Sequence, residues 1–198
     1  MRLSTRLLSR WSLASAASFA LLGSSATWAD SVDGGQSAVW THKEFSFVYQ
    51  GFTTKYSCDG LQDKMRTILL QFGARKQDLK VYGRGCVGRS GAPDPFPGVS
   101  VKMSVLVPAD SSAAADGEPA VPSHWKAVEL KLDRSSLSEA GECELVEQVK
   151  QKVLPLFTSR NVDLRNNCVP HQLTPGGTRL TAEVLAGDQM QLGNAPTK

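Results

Sequence analysis

No two cysteines stand at Cys-x-x-Cys spacing, and no histidine or cysteine pair has the short spacing of a zinc cluster. A thioredoxin-type redox centre and a metal finger are therefore excluded. Gly-x-Ser-x-Gly, the turn that exposes a nucleophilic serine at the end of a strand, does not occur. No apolar run approaches the ~20 residues that a membrane-spanning helix needs. No acidic residue precedes Asp30.

That last absence shapes the N-terminus. Arg2, Arg6 and Arg10 are followed by an apolar run from Trp11 to Leu22 and then by Gly23-Ser24-Ser25-Ala26-Thr27-Trp28-Ala29. A positive segment, a short apolar stretch and small residues predict a signal peptide over residues 1–29, cleaved before Asp30. No Cys follows the apolar run before Cys58, which argues against a lipid anchor, and there is no twin-arginine pair. Three of the 22 basic residues lie in this leader, so the remainder carries 19 basic against 19 acidic residues. A charge-balanced chain lacks the excess of Lys and Arg that phosphate neutralisation requires, which speaks against nucleic acid as a partner.

The four cysteines are Cys58, Cys86, Cys143 and Cys168. An even count in an exported chain predicts disulfides, and four cysteines allow three pairings. An internal repeat selects among them. Trp40 and Trp125 are the only tryptophans beyond the leader, and each lies 18 positions before a cysteine, Cys58 and Cys143. With the two tryptophans superposed, Phe45 falls on Leu130, Ile68 on Val153 and Phe72 on Phe157. Cys86 then matches Cys168 across a three-residue gap, and Val105-Leu106 matches Val184-Leu185. The layout predicts two copies, 40–107 and 124–187, with bonds inside each copy: Cys58–Cys86 and Cys143–Cys168.

Each copy reads as strand, helix, strand, strand. The first strands are expected over Glu44–Tyr49 and Ala127–Asp133, with Val128, Leu130 and Leu132 alternating with charged residues. A helix over Asp59–Phe72 carries an apolar stripe of Leu61, Met65, Ile68, Leu69 and Phe72, with Asp59 and Gln62 as a capping pair. A second helix is expected from Glu139 to Phe157, kinked or ended by Pro155. Short strands follow at Asp78–Tyr82 and Val162–Arg165. Longer ones hold Val99, Val101, Met103, Val105 and Val107 on one parity, and Leu180, Ala182, Val184 and Ala186 on another. Strands with one apolar face and two amphipathic helices predict a single α+β domain over 38–187, a two-layer sandwich of about six strands with both helices on one face. Residues 108–123 predict a flexible linker between the copies, and 188–198 a disordered tail.

The candidate chemistry is sparse. His42, His124 and His171 are scattered, and these residues imply neither a metal nor a cofactor. The loop 83–98 is rich in Gly and Pro and holds Arg84, Arg89 and Phe96, a combination suited to an anion or a partner. It is read as lacking the Walker pattern and the Rossmann fingerprint. The polar sheet face, with Lys80, Tyr82, Lys102, Lys131, Arg165, Arg179 and Glu183, is the other surface on which function could rest.

The stretch YSCDGLQDKMRTILLQFGARKQDLKVYGRGC, residues 56–86, resembles uncharacterised secreted proteins of proteobacteria, a likeness that spans about the first copy and implies no activity. The βαββ layout is also similar to small envelope modules that bind peptidoglycan or assemble secretion machinery. The expectation is a periplasmic or secreted, non-enzymatic binding or envelope-assembly module with an envelope or extracellular partner. The alternative is an envelope hydrolase whose site is assembled from distant loops. A cleft gathering His42, His124 or His171 beside a carboxylate would mark it.

Overall fold

Alternating apolar residues, set between turn-forming Gly and Pro, put six strands and two helices into the computed structural model. It describes residues 35–52, 55–86, 96–111, 118–131, 142–166, 169 and 178–187. Residues 1–29, expected as a signal peptide, residues 188–198, Arg89, Cys168 and His171 lie outside them. In chain order the elements are β1 (Gln36–Val48), α1 (Cys58–Gln71), β2 (Lys80–Arg84), β3 (Gly98–Pro108), β4 (Val121–Lys131), α2 (Glu142–Gln148), β5 (Ser159–Arg165) and β6 (Arg179–Gly187). The strands form one sheet of order β2-β3-β1-β4-β6-β5, and every neighbouring pair is antiparallel.

The strand parities decide what is covered. Phe47, Val81, Val99, Val101, Met103, Val105, Leu180, Ala182 and Val184 point to one side, where they are buried against Leu61, Met65 and Leu69 of α1 and Leu145, Val146, Val149 and Val153 of the second helical segment. Each Val, Leu, Phe or Met side chain among them contributes roughly 1.5–3 kcal/mol when fully buried. The outer face is mostly polar, but it holds a second, smaller cluster of Ala38, Leu106 and Leu185, flanked by Trp40, Val121 and Trp125. Both tryptophans lie there, opposite the helices.

The centre of the sheet is narrow. β1 and β4 pair only through Gln36–Ala38 and Val121–Ser123, so two three-stranded groups meet at the first residues of their leading strands. Within the groups the registers correspond: Trp40 stands opposite Leu106, and Trp125 opposite Leu185.

Several boundaries differ from expectation. β1 begins at Gln36 and β4 at Val121, each well before the apolar alternation becomes clear, because pairing at the junction extends them. Pro108 closes β3 and Val121–Ser123 belong to β4, so the stretch 108–123 is strand at both ends. The cap of α1 is Ser57, whose Oγ accepts from the Gly60 N–H at 3.1 Å. Asp59 instead lies in the first turn, where its Oδ1 accepts from Gln62 Nε2 at 3.3 Å. A serine two positions earlier has the extended backbone that a capping residue requires.

The second helix is α-helical only over Glu142–Gln148. It widens to a π-helical turn over Val149–Val153 and then tightens to a 3-10 turn over Leu154–Leu156. Pro155 has no N–H to donate, and its ring crowds the carbonyl four residues back; the wider turn relieves that conflict. The Leu154 N–H accordingly bonds the Val149 carbonyl.

Candidate functional site

The Cys58–Cys86 disulfide pins the start of α1 beside the end of β2, with Cα atoms 5.6 Å apart. Cys143, at the start of α2, is also disulfide-bonded. Cys168 falls outside the described residues.

The Gly-rich loop is described only at its ends. The Arg84 guanidinium reaches across to β1 and donates to Ser46 Oγ at 2.9 Å. Phe96 is 43% exposed at the other end. Residues 83–88 do spell Gly-x-Gly-x-x-Gly, but the element after β2 is strand β3. Among the described residues no helix N-terminus directly follows β2 to receive a pyrophosphate.

The outer polar face is laced by cross-strand pairs. Lys102 Nζ lies 2.7 Å from Glu44 Oε1, Arg179 Nε 2.6 Å from Glu129, and Arg160 Nε 2.5 Å from Glu183. Bonds from Lys102 and then His42 hold the Glu44 carboxyl below its ordinary range, and the Arg160 bond does the same for Glu183. His42 Nε2 meets Glu44 Oε1 at 3.4 Å with both side chains about half exposed. This histidine–carboxylate contact lies on an open face, not in a cleft. Among the described residues no cluster of His, Cys, Asp and Glu is placed to hold a metal, and no helix is long and apolar enough to cross a membrane.

Two features were not legible in the sequence. The first is a buried polar knot between the two groups of strands. Glu144 of α2 accepts from the Tyr49 hydroxyl at 3.2 Å and from the Phe52 N–H at 2.9 Å. Glu142 pairs with Lys64 of α1 at 2.6 Å. Gln148 and the backbone of Gln50 exchange two hydrogen bonds, at 3.1 and 3.2 Å. The Tyr56 ring stands edge-on to Tyr49, with centroids 4.8 Å apart. Its buried hydroxyl has no partner in hydrogen-bonding geometry among the described residues and lies in the field of both carboxylates. Burial first, and then the neighbouring glutamates, push both phenols far above the ordinary tyrosine range.

The second feature is a cavity of about 450 Å³ at the junction of the halves, within the 300–1,000 Å³ range of small-molecule sites. Trp40 forms part of its wall, Leu70 and Gly73 bring in the end of α1, and Lys76, His124 and Lys126 supply polar groups. Gly73 has φ +93°, and a Cβ there would meet the Leu185 carbonyl at 3.5 Å. The positive φ, just past the end of α1, is what favours glycine there, since the Leu185 distance is an ordinary contact. Of the two described histidines, His124 and not His42 is placed at this cavity, whose described lining contains no carboxylate. Composition cannot disclose such a site, because its residues come from α1, β1, β4 and β6.

Comparison with known proteins yields no match: no family model, no curated protein and no solved structure is significantly similar to this chain.

Proposed function

We propose that the chain is an exported module of two fused βαββ halves that acts by binding a small molecule in the cavity where the halves meet. The observation that carries this reading is the cavity itself, of ligand size, with an aromatic wall and three basic side chains converging on it. The duplication is supported by the matched registers of Trp40 with Leu106 and Trp125 with Leu185, and by sheet positions 2-3-1 in the first half mirrored as 1-3-2 in the second. Export is supported by the arginine-led, apolar leader and by the Cys58–Cys86 bond, which persists in oxidising compartments.

Native mass spectrometry of protein recovered from the periplasm tests the binding reading. The expected result is a small-molecule adduct that disappears when Ala186, in the cavity wall, is replaced by Phe. An adduct retained by the Ala186→Phe protein would locate binding elsewhere. Turnover of the bound molecule on incubation would favour the hydrolase instead.

A further inference from the structure

Resting on that reading of the junction cavity, we propose that its ligand is a small organic anion: a carboxylate or phosphate monoester on a flat apolar body. The two halves offer the same frame and finish it differently. In the second half the Arg160 guanidinium lies 4.2 Å above the Trp125 ring centroid and is held there by Glu183 at 2.5 Å. Thr158 closes the corner by donating its hydroxyl to the Leu106 carbonyl at 3.0 Å. In the first half Arg75 stands 5.3 Å from the Trp40 centroid and is engaged by Asp78 at 3.5 Å and Glu118 at 3.3 Å. Gly73 occupies the position matching Thr158 and brings no side chain. Each tryptophan has an arginine over its ring, closer at Trp125 than at Trp40, and Trp40 also lines the cavity.

The charge of the opening selects the ligand. Lys76 and Lys126 both line it, and neither forms an ion pair with a described residue. The end of α1 adds roughly half a negative charge, and Arg75 with Asp78 and Glu118 beside Trp40 adds about one more, together still less than the two full positive charges, so the net field draws anions. The cavity walls lower the local dielectric and strengthen that attraction. The face of Trp40 favours a flat apolar group beside the anion, since stacking on an indole adds to the area it buries.

Nuclear magnetic resonance titration of the oxidised mature protein with 2-naphthoate, 2-naphthyl phosphate and neutral 2-naphthamide tests this. Both anions should shift the Trp40 indole N–H and the amides of Lys126 and Gly187. They should bind at least roughly tenfold more tightly than the amide. Lys76→Glu with Lys126→Glu, both exposed and harmless to folding, should abolish the preference, whereas Lys102→Glu on the outer face should leave it intact. Preference for one anion over the other separates phosphate from carboxylate recognition. Equal binding of all three compounds at these resonances, or a preference that survives in the double variant, would overturn the anion proposal and leave the binding reading standing. If none of the three moves these resonances, the anion proposal is overturned; a cavity adduct by native mass spectrometry then tells whether the binding reading falls with it.

Discussion

Phe72 and Phe157 meet edge to face, with ring centroids 5.5 Å apart and planes inclined by 70°. Each follows the last helical turn of its half, and the two occupy matching positions in the superposed sequences. Where β1 and β4 share only three residue pairs, the sheet alone is a slender connection. The aromatic contact under it, the Glu144 hydrogen bonds to Tyr49 and Phe52, and the Gln50–Gln148 exchange make one core of two halves.

Phe157→Ala should therefore destabilise the whole domain by ~3–5 kcal/mol, as large aromatic-to-alanine changes in cores do. A single cooperative transition shifted to lower denaturant is expected by circular dichroism. Two separated transitions would show that the halves unfold independently.

Val153 and Ile68 test the helix faces. Val153 is fully buried, so Val153→Asp should unfold the protein, because an unpaired charge in an apolar site costs several kcal/mol. Ile68 is nearly as buried but borders a groove of about 240 Å³ shared with Lys64, so Ile68→Asp should be milder. Lys102→Glu, exposed, should change the melting temperature little. Thermal melts rank the three, and equal tolerance would refute the assigned faces.

Tyr49 and Tyr56 set an alkaline limit. Their phenol pKa values are raised by folding, so above about pH 10 the unfolded chain loses protons that the native state retains. Fewer bound protons in the unfolded state means stability falls as pH rises. In a Tyr82→Phe protein, which leaves only these two tyrosines, the 295 nm absorbance should rise together with loss of circular dichroism. Phenol ionisation before unfolding would contradict their burial.

Non-reducing peptide mapping should find Cys58 joined to Cys86 and Cys143 to Cys168. The first pair closes a loop with a sequence separation of 28, and its removal should cost ~3–4 kcal/mol on the chain-entropy account. A peptide joining residues before 108 to residues after 123 through sulfur would refute the pattern. Intact-mass analysis of periplasmic protein should give a chain that begins at Asp30, and a retained Met1 would refute cleavage.

Patterns with a local cause were legible in the sequence. Val99, Val101, Met103, Val105 and Val107 share a parity because a strand alternates its faces, and they are buried together. Leu61, Met65, Ile68 and Leu69 share a stripe because a helix repeats every 3.6 residues, and they too are buried. The layout of the two superposed segments, rather than cysteine spacing alone, foreshadowed the Cys58–Cys86 bond. Details that depend on neighbours in space were not legible. The early start of β1 and β4 depends on pairing across the junction, and the burial of Glu142 and Glu144 on Tyr49, Tyr56 and Lys64.

The sequence by itself determined an α+β chain with two amphipathic helices and strands apolar on one face, since periodicity is a property of consecutive residues. Only the tertiary structure decided that Trp40 faces a cavity while Trp125 lies beneath Arg160. The two tryptophans have matching positions in the superposed sequences, but their environments are built by residues remote in the chain. Asp78 and Glu118 engage the arginine over one ring, and Glu183 engages the arginine over the other. A contact between residues far apart in the chain leaves no periodic trace, so a site assembled from such contacts becomes visible only once the chain has folded.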